Sequence, residues 1–146
     1  MSARERRRLV RIGRQLALAR IERRESIGEL ADAIAEEVRS RHLAERSRRL
    51  AADYATPKGI EAGADLAGRV GFVGALSRLA GDAEASGAEA AHEADTRKRA
   101  LAAAERRIER LESHEAEARR AVEEQRRRRA GDPAAALARK LQRRSS

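Results

Sequence analysis

Alternating steps of three and four residues through the second half of the chain meet mostly small or aliphatic side chains. From Val73 the steps pass through Leu76, Ala80, Ala83, Gly87, Ala90, Ala94, Arg97, Leu101, Ala104, Ile108, Leu111, Glu115, Ala118 and Val122 to Gln125, and 12 of these 16 positions are Ala, Val, Ile or Leu. An α-helix turns once every 3.6 residues or so, and a mean step of about 3.5 keeps all of these positions on one narrow stripe. Such a stripe is buried by another helix laid along it. A coiled-coil seam of this length constrains the fold more than any other feature.

Composition agrees. Ala, Glu, Lys, Leu and Arg make up 97 of 146 residues, and all five keep helix-compatible side-chain freedom. Leu, Ile, Val and Phe together number only 25, with one Tyr and no Trp. That is too little apolar volume for a wide globular core. A seam between two helices needs far less. The absence of cysteine removes disulfides and thiolate metal sites. No stretch approaches the roughly 18 apolar residues of a membrane span, and no apolar run follows the basic N-terminus as in a secretory signal. A cytoplasmic protein is the expectation.

Gly and Pro punctuate the chain. Residues 3–52 read as a first helix, and 53–69 as a break that includes Pro57 followed by a soft Gly-rich stretch, with Gly63 and Gly68, in which a weakly held helix is expected. Thr56 and Pro57 have the chemistry of an N-cap and a first helical residue. Residues 70–129 read as the second long helix, Gly131 as its stop, and Asp132-Pro133 as the start of a short tail helix over 133–144. The first helix begins a heptad seam at Leu9, Ile12 and Leu16, but Leu16, Ile27 and Val38 then recur at 11 residues, the spacing of a stutter. The predicted fold is all-α, a long antiparallel two-helix coiled-coil hairpin with a short C-terminal helix, in a single domain over 1–146. A parallel dimer of the same helices is the competing arrangement.

Charge is distributed unevenly. Residues 1–24 carry a net +7, residues 119–146 another +7, and the 94 residues between them −5, which recovers the overall +9. An antiparallel pairing would bring the two basic ends together, fit to meet an acidic surface. Solvated helix termini are the lesser alternative reading of the same Arg-rich ends. Nucleic acid is disfavoured, because no aromatic side chain interleaves with the arginines and no known DNA-reading motif is present.

Little in the sequence points to catalysis. His42, His92 and His114 are scattered, the carboxylates alternate with arginines as on a solvated helix face, and Gly68, Gly71 and Gly74 lack the Lys-Ser/Thr of a phosphate loop. No enzyme activity, cofactor, metal or small-molecule substrate is expected. Tyr54 and Phe72 flank the break between the helices, and both read as lying off the seam. They are either anchors for a partner or the closure of a small local core.

The first helix ending near Tyr54, the entry to the second with Phe72, Leu76 and Leu79, and the run TRKRALAAAERRIERLESHEAEARRAVEEQRRRR with an Asp-containing tail together resemble the FliJ family, stalk proteins of the flagellar type III export apparatus. The resemblance spans nearly the whole chain, although this middle is richer in Gly and Ala, and the turn region poorer in aromatics and Gln, than that family. It implies a hairpin similar to the central stalk of rotary ATPases. Its paired termini would enter the hexameric export ATPase, and its tip would meet the export gate protein and export chaperones. On that resemblance Arg6, Arg7, Arg8, Arg11, Arg126, Arg127, Arg128 and Arg129 would face the ATPase. Tyr54, Phe72, Leu76 and Leu79 would face the gate or chaperones, holding the protein peripherally at the inner face of the cell membrane. A basic coiled coil that binds nucleic acid or an anionic surface, or a purely structural coiled-coil dimer, stands beside this expectation.

Overall fold

A chain so rich in Ala, Arg, Glu and Leu has helix as its cheapest local state, and the computed structural model contains two helices: α1, Ala3–Ala55, and α2, Gly63–Arg144. The structure describes residues 2–56 and 63–145, and of 132–134 the backbone alone. Among the described residues there is no strand.

The first helix opens on a reciprocal capping box. The Glu5 backbone N–H donates to Ser2 Oγ at 3.2 Å, and the Ser2 N–H donates to Glu5 Oε2 at 3.1 Å, so two orphan donors are satisfied at once. Ser2→Ala is expected to destabilise this end by about 0.5–2 kcal/mol. The measurable result is faster amide exchange over residues 3–8 with the second half of α1 unchanged.

The helix boundaries differ from the expected ones in three places. α1 continues three residues past 52 to Ala55. The Thr56 hydroxyl donates back to the Ala52 carbonyl at 3.2 Å, at the end of α1, and the helix start expected after Thr56 falls on residues outside those described. Pro57 lies outside the described residues. α2 begins at Gly63 rather than near 70, and it runs through 129–133 to Arg144, so the expected tail helix is its last turns. A proline removes one backbone hydrogen bond, at about 3 kcal/mol, and bends a helix as readily as it stops one. Flanking residues rich in Ala, Leu, Arg and Lys carry the helix onward.

The chain forms two compact units: residues 1–24 with 102–146, and residues 25–101. In the first, Arg20 meets Glu112 at 3.6 Å and Arg107 donates to Glu22 at 3.0 Å. In the second, Arg97 donates to Glu29 at 2.6 Å and Arg48 pairs with Glu84. In each unit higher numbers on α1 meet lower numbers on α2. The helices are antiparallel, and the chain is a helical hairpin.

All 16 positions stepped from Val73 to Gln125 are buried or half-buried. The first helix shows an equally strict seam: Ser2, Glu5, Leu9, Ile12, Leu16, Ala19, Arg23, Ser26, Leu30, Ala33, Glu37, Ser40, Ala44, Ser47 and Ala51 are the inward positions. The expected stutter is therefore absent, and Ile27 and Val38 remain 49% and 48% exposed. The reason lies in the packing. In the unit of 25–101 the fully buried residues of α1 are Ala33, Ser40, Ala44, Ser47 and Ala51, set against Leu76, Ala80, Ala83, Gly87, Ala90 and Ala94 of α2. Small residues on both faces let the backbones approach. A Cβ built at Gly87 would stand 3.5 Å from Ser40 Cβ and 4.0 Å from the Arg41 backbone nitrogen. The other unit packs larger chains, with Ile12, Leu16 and Ala19 against Ile108 and Ala118, and Leu9 and Leu111 beside them.

Candidate partner-binding surfaces

The first candidate surface is the unit that holds both chain ends. Residues 1–24 and 102–146 carry 22 basic and ten acidic side chains, a net +12, whereas residues 25–101 carry 11 and 14, a net −3. Arg6, Arg7, Arg8, Arg11 and Arg126 to Arg129 are all exposed. Arg127 pairs with Glu123 at 3.8 Å, while Arg7, Arg8, Arg11, Arg126, Arg128 and Arg129 form no ion pair among the described residues. A shallow groove of about 540 Å³ along α1 is lined by Ala3, Arg6, Arg7, Val10, Arg11 and Arg14.

The placement of these arginines works against helix stability. The first turns of α1 hold Arg4, Arg6, Arg7, Arg8 and Arg11 with Glu5 as the only acid, at the end where the helix dipole is positive. At the far end of α2, Arg143 and Arg144 sit where the dipole is negative and cations are favoured. Cations at both termini serve the dipole in only one case. Their common feature is the field they offer an anion.

The second candidate surface lies at 43–54 of α1 and 72–79 of α2. Tyr54 and Phe72 are in contact, ring centroids 5.0 Å apart at 83°, an edge-to-face pair. They remain 45% and 46% exposed, so the pair both closes locally and presents apolar area outward. Tyr54 follows Ala51 by three residues and, unlike the buried and half-buried seam positions, is exposed. Phe72 flanks the seam beside Val73. Leu79 is exposed, but Leu76 is buried within the seam and supports the surface from beneath instead of facing a partner.

Sequence reasoning missed Leu43 and Leu50, which are exposed on the same flank as Phe72 and Leu79. Their signal is an i,i+7 spacing at the position preceding Ala44 and Ala51, legible once those alanines are taken as the seam. On the opposite flank, Arg48 hydrogen-bonds the Glu84 carboxylate. That bond, with the carboxylate's charge and against a little desolvation, raises the guanidinium pKa above its ordinary value.

Among the described residues no three His, Cys, Asp or Glu side chains gather as metal ligands, and no helix is long and apolar enough to cross a membrane. His42 lines a surface groove on α1, and His114 Nδ1 lies 3.9 Å from Glu117. These features define a class: an antiparallel coiled-coil hairpin with one strongly basic unit and an exposed aromatic pair in the other. No family model, no curated protein and no solved structure matches the chain.

Proposed function

We propose that the chain is a non-enzymatic stalk and adaptor protein similar to the FliJ family, serving flagellar type III protein export. On this reading the basic unit binds the hexameric export ATPase, and the surface around Tyr54, Phe72 and Leu79 binds the export gate protein or export chaperones. The protein then works in the cytoplasm and reaches the inner face of the cell membrane through these partners. The observation that carries the proposal is the net +12 on the unit holding both termini, including arginines placed at the unfavourable end of the α1 dipole. Side chains that oppose the stability of their own helix are well explained by an acidic partner.

Titration of the ATPase is the direct test, with saturation expected at one chain per hexamer. Arg7→Glu/Arg11→Glu/Arg128→Glu should lower that affinity by about tenfold or more, since charge reversal replaces attraction with repulsion. Unchanged affinity rejects the basic unit as the ATPase surface. The same arginines favour a polyanion as the second reading. Nucleic acid binding would fall with salt at a slope near −0.9 per phosphate neutralised and show no ATPase stoichiometry. For the aromatic surface, Tyr54→Ala/Phe72→Ala is expected to weaken gate or chaperone binding by about 30-fold, as for two hot-spot residues, and to leave ATPase binding intact.

A further inference from the structure

An antiparallel pair of helices leaves two grooves between them. In the unit of 25–101, one groove is crossed by the Arg48–Glu84 ion pair. The other is apolar over residues 43–54 and 72–79, while farther along it Arg97 donates to Glu29 at 2.6 Å and Glu36 and Glu93 line the surface. Leu43 and Leu50 lie two turns apart on α1, Tyr54 follows one turn later, and Phe72 and Leu79 form the matching pair on α2, all five being exposed. The register set by Arg48 and Glu84 brings Leu50 to within a turn of Leu79. The α1 side of this flank is basic: a groove of about 670 Å³ holds Leu43 and Leu50 together with Arg39, Arg46 and Arg49, against a single acid, Glu45. Arg39 and Arg49 reach acids of their own helix at 2.8 and 3.5 Å, and Arg46 has no ion pair among the described residues.

We propose that this flank takes a third helix, an amphipathic segment of another protein with an apolar ridge for Leu43, Leu50 and Leu79 and carboxylates along the edge that faces Arg39, Arg46 and Arg49. The inference rests on reading the aromatic surface as a partner site, and it adds the partner's shape and charge. Two-turn spacing on each rail, Leu43 to Leu50 and Phe72 to Leu79, about 10.5 Å, matches the i, i+3, i+7 ridge of a helix. Among the described residues no strand edge is present to recruit an extended peptide. A second copy of this chain is a poorer fit, because it would set Arg46 against Arg46 and could offer only Glu36 and Glu45, which Arg39 and Arg49 already engage.

The probe is a fluorescent 21-residue peptide with Leu at heptad a and d positions and Glu at its flanking positions, titrated into the full chain by anisotropy. A Lys-for-Glu version is the control. The Glu peptide is expected to bind at least tenfold more tightly than the Lys peptide. Leu43→Gln/Leu50→Gln, which preserves helix propensity at exposed positions, should weaken the Glu peptide at least tenfold. Arg46→Glu should weaken it severalfold and improve the Lys peptide, whereas Arg7→Glu/Arg11→Glu in the other unit should change nothing. Circular dichroism at 222 nm confirms that the variants fold. Absence of binding overturns the proposal, as does binding that only the Arg7/Arg11 variant reduces. Binding lost in Tyr54→Ala/Phe72→Ala but kept in the Leu43/Leu50 and Arg46 variants overturns it and leaves the aromatic surface as a partner site. A dimer of the chain alone in sedimentation that Leu43→Gln/Leu50→Gln dissolves also overturns it, in favour of self-association.

Discussion

Leu16→Ala is expected to destabilise the protein by about 2–3 kcal/mol, whereas Leu18→Ala two residues away should stay within roughly 0.5 kcal/mol. Leu16 is 1% exposed and is the largest fully buried side chain, packed in the cluster with Ile12, Ala19, Ile108 and Ala118. Leu18 points to solvent. Truncation removes the transfer free energy of three heavy atoms and leaves a void between two helices. A seam only two helices thick can close part of that void, which places the cost toward the low end of the range for buried leucines. Against a typical total of about 5–15 kcal/mol this is a large fraction. Urea unfolding followed at 222 nm measures it as a lowered midpoint at constant slope. Equal midpoints for the two variants would mean that the α1 seam runs through other positions.

Substitution in the opposite direction should raise stability by a comparable amount. Gly68, Gly71, Gly74 and Gly81 lie inside α2, and a Cβ built at any of them meets nothing within 4 Å. Each glycine loosens the helix by about 0.8–1.0 kcal/mol relative to alanine, because the unfolded chain keeps more freedom. The quadruple Ala variant is therefore expected to gain about 3–4 kcal/mol if the sites act independently. Slower amide exchange across 66–84 accompanies the rise in midpoint. Gly87 behaves differently, since it faces Ser40 and Arg41 across the seam. A methyl group there makes ordinary van der Waals contact at 3.5 Å, so Gly87→Ala is tolerated. Gly87→Leu overfills this close approach of the two helices at about 1–3 kcal/mol. A quadruple variant no more stable than the parent would show that these glycines are not helical.

The two helices were not equally legible. The α2 seam stands out because large and small apolar residues recur on one stripe for its whole length, and each of its 16 positions is buried or half-buried. The α1 seam is just as regular in space, yet beyond Ala19 its inward residues are mainly Ala and Ser, interrupted by Arg23 and Glu37. Hydropathy gives such positions little weight and gives more to Ile27 and Val38, whose spacing makes a false 11-residue repeat. Ser40 and Ser47 are buried because they are small enough to fit against α2, not because they are apolar. The candidate surfaces follow the same division. Arginine runs are visible in any listing of the chain, whereas Leu43 and Leu50 join Phe72 and Leu79 only after the register of the pair is known.

From composition and period alone follow the helical class, the α2 seam and the segregation of charge, since helix propensity and a 3.5-residue repeat are properties of neighbours along one chain. Tertiary packing decided the rest: which face of α1 turns inward, that Leu76 is buried while Leu79 is exposed, and that Tyr54 and Phe72 touch. Those choices depend on how closely two backbones approach, and that distance belongs to the pair of faces rather than to either sequence stretch.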